Sequence, residues 1–323
     1  MIYFATVLRA LAAMLITNSH YTGVYPTDFI ANGGLLGNVI FFAVSGFCLC
    51  NPKQSFPRWY GKRIVRMYPQ IWIITALYLL LSISDTGGKS WLELFVYPTR
   101  FRFLADILIL YIPFYVLMKW KAAQKRLGWI LAAVAVVHLV FYLFLFDKTY
   151  YHIDAAGAAF ILFLYGASML LGAYFRLHLK QFQNSNKVIN WVLLAFFFCA
   201  YFASKMLFAK IEAISAFQII NQYMLFLLLY FLVRCFAGID AKLEALPRWI
   251  KRVLNFISEI TLEIYLVQIG IIPFFAKLLP FPLNWLVLTS VIVAGAAVLH
   301  FGTGKLLEGI QLLFKKLRRT KAE

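Results

Sequence analysis

Leu8–His20 carries Arg9 near one end and His20 at the other, with mostly apolar side chains between them. Eleven positions separate the two, and at about 100° and 1.5 Å per residue a continuous helix would bring them within roughly 20° of one face, about 16 Å apart along its axis. Ionisable groups at membrane depth cost at least a few kcal/mol each, so such a pair faces a bundle interior or a wet cavity and marks a path through the protein. The competing account makes His20 an interfacial histidine at a helix end and Arg9 a snorkelling anchor. A second cluster, Lys62, Arg63 and Arg66, opens the phrase KRIVRMYPQIW. Arginines at i and i+3 stand one turn apart, and their planar forks suit bidentate bonds to phosphate oxygens better than an ammonium does. That chemistry asks for a phosphorylated ligand; anchoring beside lipid phosphates is the alternative. Glu259 and Glu263, at i and i+4, would share a helical face suited to a partner such as Arg9 or to hydroxyl groups.

Composition says what must position these groups. Of 323 residues, 63% are hydrophobic, 18% aromatic and 14% charged, outside the range of water-soluble domains. A window of about 20 residues, which crosses roughly 30 Å of hydrocarbon, finds ten candidate spans near 2–20, 33–50, 67–83, 103–119, 128–146, 158–175, 188–204, 217–235, 253–276 and 284–303. Charge, glycine or proline breaks the pattern between them, as in SDTGGKSW, KWKAAQKRLG, RLHLKQFQNSNK and LPFPLNW. The expected fold is all-α: a polytopic transmembrane helix bundle of about ten spans, one membrane-embedded domain over 1–323 ending in the basic tail KKLRRTKAE. The first apolar stretch contains Arg9 and has no basic residue ahead of it, which reads as a retained span rather than a signal peptide. Lys and Arg divide 23 to 7 between alternate sides of these spans, Arg9 completing the 31. Positive residues of short loops stay inside, so both termini are expected in the cytoplasm and the protein in the plasma membrane. The formal charge of +18 then reflects loop bias and contact with anionic lipids, with no nucleic acid partner. Cys48, Cys50, Cys199 and Cys235 lack the paired spacing of a metal site, so neither metal nor disulfide is expected.

Three ordered phrases resemble the acyltransferase-3 family of integral membrane acyltransferases. Arg9 and His20 match an arginine and histidine of its first span. Phe41, Phe42, Ser45, Gly46 and Phe47 match an F-F-x-x-S-G-F phrase of the second, and Arg63, Arg66 and Pro69 match R-x-x-R-x-x-P at the third. Near the C-terminus ITLEIYLVQ is similar to a family phrase ending in histidine, with Gln268 in the histidine's place. An amide cannot relay a proton as an imidazole does, yet it can donate and accept hydrogen bonds.

The resemblance implies an O-acyltransferase with acyl-CoA, most simply acetyl-CoA, as donor. Arg63 and Arg66 would hold its phosphates, with Ser45 adding a hydrogen bond. His20 would serve as base or transient acyl carrier beside Arg9. Glu263 and Gln268 would contact a glycan or lipid-linked saccharide acceptor. Many relatives carry an appended extracytoplasmic hydrolase-like domain; with none within these residues, the acceptor is expected to be reached directly or presented by a separate protein. A transporter using Arg9, His20 and Glu263 as an ion or proton relay is the alternative, although such folds often show internal repeats and none is evident. Asn221 and Gln222 are expected to be interhelical glue, and His138, His152, His178 and His300 structural. The charge bias makes one direct prediction. Cysteines placed at Lys89 and Lys121 should react with an impermeant thiol reagent from outside only at the first position; the reverse pattern would invert the topology.

Overall fold

The computed structural model describes residues 2–83, 87–155, 159–183, 187–276 and 278–320. Lys277, parts of two expected breaks at 84–86 and 184–186, and Lys321 of the tail lie outside them. Among the described residues there are helices and no strands. Apolar stretches bring no water to the main chain, so N–H and C=O groups must pair within the segment.

Each expected span coincides with helix. The principal elements are α1 (Tyr3–Ser19), α2 (Gly34–Leu49), α3 (Phe56–Leu80), α4 (Arg102–Lys119), α5 (Leu127–Leu145), α6 (Ile161–Leu177), α7 (Val188–Lys210), α8 (Ile219–Gly238), α9 (Arg248–Glu259), α10 (Thr261–Phe275) and α11 (Leu283–Thr320). Among the described residues five are long and apolar enough to cross a membrane, namely α4 with the turn before it, α5, α7, α8 and the first part of α11; a bent α9–α10 pair makes six. The helices α1, α2 and α6 are apolar but have only 17, 16 and 17 residues. The expected ninth span is not one helix: it breaks at Ile260. The third also begins earlier than expected. Its first turn starts at Phe56, where Pro57 loses nothing by lacking an N–H, so the basic stretch between the second and third expected spans is helical and Arg63 and Arg66 lie inside α3.

The chain divides into two compact units, the first formed by 1–16, 33–59 and 102–258 and the second by 17–32, 60–101 and 259–323. In the first unit α2 and α6 cross in backbone contact. A Cβ on Gly46 would lie 1.8 Å from the Met169 carbonyl oxygen, and one on Gly172 would lie 1.8 Å from that of Ala43. With no hydrophobic drive between helices in lipid, such close packing is what holds them. Aromatic rings pack around the crossing: Phe42 stacks on Tyr165 at 4.4 Å between centroids, while Phe41 and Phe42 meet Phe103 edge-on. Asn38 Nδ2 donates to Tyr165 Oη at 2.9 Å.

In the second unit the Tyr78 hydroxyl of α3 enters the backbone ladder of α10. It donates to the Leu266 carbonyl at 2.7 Å and accepts from the Gly270 N–H at 3.0 Å, the two groups that an unbroken helix joins directly. Gly270 permits this, because a Cβ there would fall 2.5 Å from the buried tyrosine ring. The α2–α6 crossing yields a test. Gly46→Ala and Gly172→Ala should each lower stability by about 1–3 kcal/mol through overpacking, seen as an earlier thermal unfolding midpoint in detergent, whereas Ser45→Ala should leave the midpoint close to that of the parent.

Candidate active site

The helix that carries Arg9 is anchored at its N-terminus by a distant carboxylate. Asp240 Oδ1 accepts the Phe4 N–H at 2.7 Å and Oδ2 accepts from Gln183 Nε2 at 3.2 Å, which places a buried negative charge at the positive end of α1. Arg9 is half-buried, and its Nη2 lies 3.6 Å from Cys48 Sγ on α2. At the other end α1 stops at Ser19, and the His20 N–H bonds the Thr17 carbonyl at 3.0 Å in a tightened turn. His20 thus lies just past the helix and is exposed.

The segment after His20 is held firmly. Tyr21, buried, hydrogen-bonds Thr289 Oγ1 at 2.9 Å. Asn18 Nδ2 donates to the Ile30 and Asn32 carbonyls at 2.8 and 3.0 Å, and Tyr25 donates to Asn18 Oδ1. Buried Asn284 donates to the carbonyls of Val24 at 2.7 Å and Ala276 at 3.2 Å. A non-helical segment between helices is therefore fixed by side-chain donors in place of water.

The second-span phrase is largely architecture. Phe41, Phe42 and Gly46 make the α2–α6 and α2–α4 contacts, and Phe47 packs on Phe4 with the Arg176 guanidinium 5.2 Å from its ring centroid. Ser45 is the half-buried polar member. On α3, Arg63 is half-buried and Arg66 exposed, one turn apart on a single helix as their spacing requires. On α10, Glu263 and Gln268 are both buried, at 2% and 0% exposure. Gln268 has neither amide atom hydrogen-bonded, and Glu263 Oε2 is likewise buried without a partner among the described residues. Orphaned polar atoms of this kind cost about 1–3 kcal/mol each.

His300, expected to be structural, pairs with two carboxylates. His300 Nδ1 is 2.8 Å from Glu263 Oε1, and Nε2 is 3.9 Å from Glu259 Oε1. The two glutamates lie on either side of the α9–α10 break, so the shared face expected from their i, i+4 spacing is supplied by the histidine instead. Its one available signal was an ionisable group inside an apolar span. Asn221 is interhelical glue as expected, donating to the Tyr201 carbonyl at 2.9 Å, whereas Gln222 ties its helix to a non-helical segment by donating to the Ile153 carbonyl at 2.7 Å. A cavity of about 370 Å³ between α4, α5 and α6, walled by apolar residues such as Leu110, Phe114, Val134 and Phe163, contains none of these groups.

The model of an acyltransferase domain, Acyl_transf_3, matches residues 2–301 of the chain. The protein belongs to the acyltransferase-3 family. No curated protein and no solved structure matches it. The family match takes in every phrase from Arg9 to Gln268 and, with the apolar helices, makes the protein a multi-pass membrane acyltransferase. In this acyltransferase the loop after His20 should depend on Asn284. Asn284→Ala leaves two carbonyls without their donor and should cost about 1–3 kcal/mol, with faster limited proteolysis inside 21–32 as the local readout.

Proposed function

We propose that this protein moves an acyl group, most simply acetyl, from CoA at the cytoplasmic side of the plasma membrane to a hydroxyl of an extracytoplasmic or lipid-linked glycan. The observation that carries this reading is the near full-length family match together with Arg63 and Arg66 one turn apart on α3. Ten passages with both termini inside follow from the charge bias of the loops. The phosphates of CoA stay with the arginine pair, since burying them in hydrocarbon would be prohibitive, and the thin pantetheine arm carries the thioester inward. Arg9 and Ser45 are assigned to the donor, as charge and hydrogen-bond partner.

Transfer then needs one proton removed and one returned. His20 takes the proton of the acceptor hydroxyl, whose oxygen attacks the thioester carbonyl; the C–S bond breaks, and the CoA sulfur receives the proton from the imidazolium. Attack by His20 itself, forming an acyl-imidazole that the acceptor then opens, uses the same groups. Glu263 and Gln268 present their unpartnered atoms to acceptor hydroxyls.

Two variants test this in vesicles supplied with labelled acetyl-CoA outside and candidate glycans inside. General-base assistance is worth about 10²–10⁴ in rate, so His20→Gln should lose at least that much kcat while still binding CoA; transfer at the parent rate would remove His20 from the chemistry. Replacing Arg63 and Arg66 together by alanine should raise the donor KM or abolish binding, and lysine at both positions should rescue only in part, because a point charge lacks the fork.

A further inference from the structure

Three ionisable groups of the second unit lie in a row that the proposed donor and base residues do not use. Glu259 ends α9, His300 lies in α11 and Glu263 occupies the first turn of α10. The imidazole offers a different nitrogen to each carboxylate, Nδ1 at 2.8 Å to Glu263 and Nε2 at 3.9 Å to Glu259. Side-chain exposure falls along the row from 66% at Glu259 through 27% at His300 to 3% at Glu263. One end is exposed and the other is sealed. At the sealed end Glu263 Oε2 is buried without a hydrogen-bond partner among the described residues, which a merely structural ion pair does not explain. Beside the pair, the Gln70 amide of α3 lies 3.5 Å from Glu263 Oε1 and its nitrogen is better satisfied by the Arg66 carbonyl at 2.7 Å, while the Phe301 ring flanks the imidazole.

We propose that Glu259, His300 and Glu263 form a proton relay that carries protons between solvent and the buried carboxylate. A proton on Glu263 enters the ring at Nδ1 as the Nε2 proton leaves for Glu259, across the 3.9 Å separation. The ring is left in the opposite tautomer, and the reverse passage or a ring flip resets it. One proton enters and one leaves, so the ring's charge is unchanged. Acyl transfer releases no net proton, because the one lost by the acceptor hydroxyl is gained by the CoA sulfur. The relay instead sets whether Glu263 Oε2 meets an acceptor hydroxyl as a hydrogen-bond acceptor or donor. That role rests on the acyl-transfer reading; the proton traffic does not.

The test is therefore infrared spectroscopy of the full-length protein in lipid nanodiscs, which needs no turnover. A protonated-carboxyl band should appear on lowering the pH, vanish in Glu263→Gln, and exchange with D₂O on the order of 10²-fold more slowly in His300→Gln, the scale on which removal of a positioned proton carrier acts. Glu259→Gln, a change at an exposed side chain that spares the fold, should slow exchange in the same direction. No such band in the parent at any pH, or unchanged exchange in both Glu259→Gln and His300→Gln, would overturn the relay whatever the outcome of the transfer assay.

Discussion

In hydrocarbon every main-chain N–H and C=O needs a partner from the protein itself, and both units of this acyltransferase are organised around that demand. Helices meet it automatically. Where the chain leaves the helix, buried amides stand in for water. Gln218, in the first unit, accepts the His152 and Ile153 N–H groups at 2.9 Å through one oxygen and donates to the Tyr150 carbonyl at 2.8 Å, so a single side chain closes the turn between α5 and α6. Asn284 does the same for the segment after His20 in the second unit. Tyr78 goes further and occupies a place in the ladder of α10.

The same solvent removes the usual reason for helices to associate, and small residues take over. Gly46 and Gly172 let the backbones of α2 and α6 touch, and the aromatic members of the second-span phrase fill the space beside the crossing. A phrase that marks the family is thus mostly a packing device, with Ser45 left as its polar contribution. The chemistry depends on this packing indirectly, through helices held at fixed separations.

Charges follow a related rule. Within the first unit Arg102 pairs with buried Asp106 at 3.1 Å and Lys205 with Asp154 at 2.7 Å, and in the second His300 pairs with Glu263. Arg102 and Asp106 lie one turn apart on α4, whereas Lys205 ties α7 to the segment before α6 and His300 ties α11 to α10. His20 and Arg66, by contrast, are exposed.

Composition and pattern by themselves determined the membrane setting, the all-α class, the position of a helix at every expected span and, through ordered phrases around Arg9, His20, Ser45, Arg63 and Arg66, the family. These are local properties: hydropathy is a sum over a window, and an i, i+3 pair is one turn apart on any helix. Boundaries were less readable. The basic stretch before Arg63 proved helical from Phe56, the ninth span proved broken at Ile260, and α1 proved to stop one residue short of His20, because charge and proline report where a span leaves hydrocarbon, not where a helix ends. Only tertiary structure could join His300 to Glu263 across 37 positions, strand both amide atoms of Gln268, or set Asp240 against the start of α1. Those contacts depend on which helix faces which, and in lipid that choice rests on glycine-sized gaps and single hydrogen bonds, too few and too distant in sequence to leave a periodic trace.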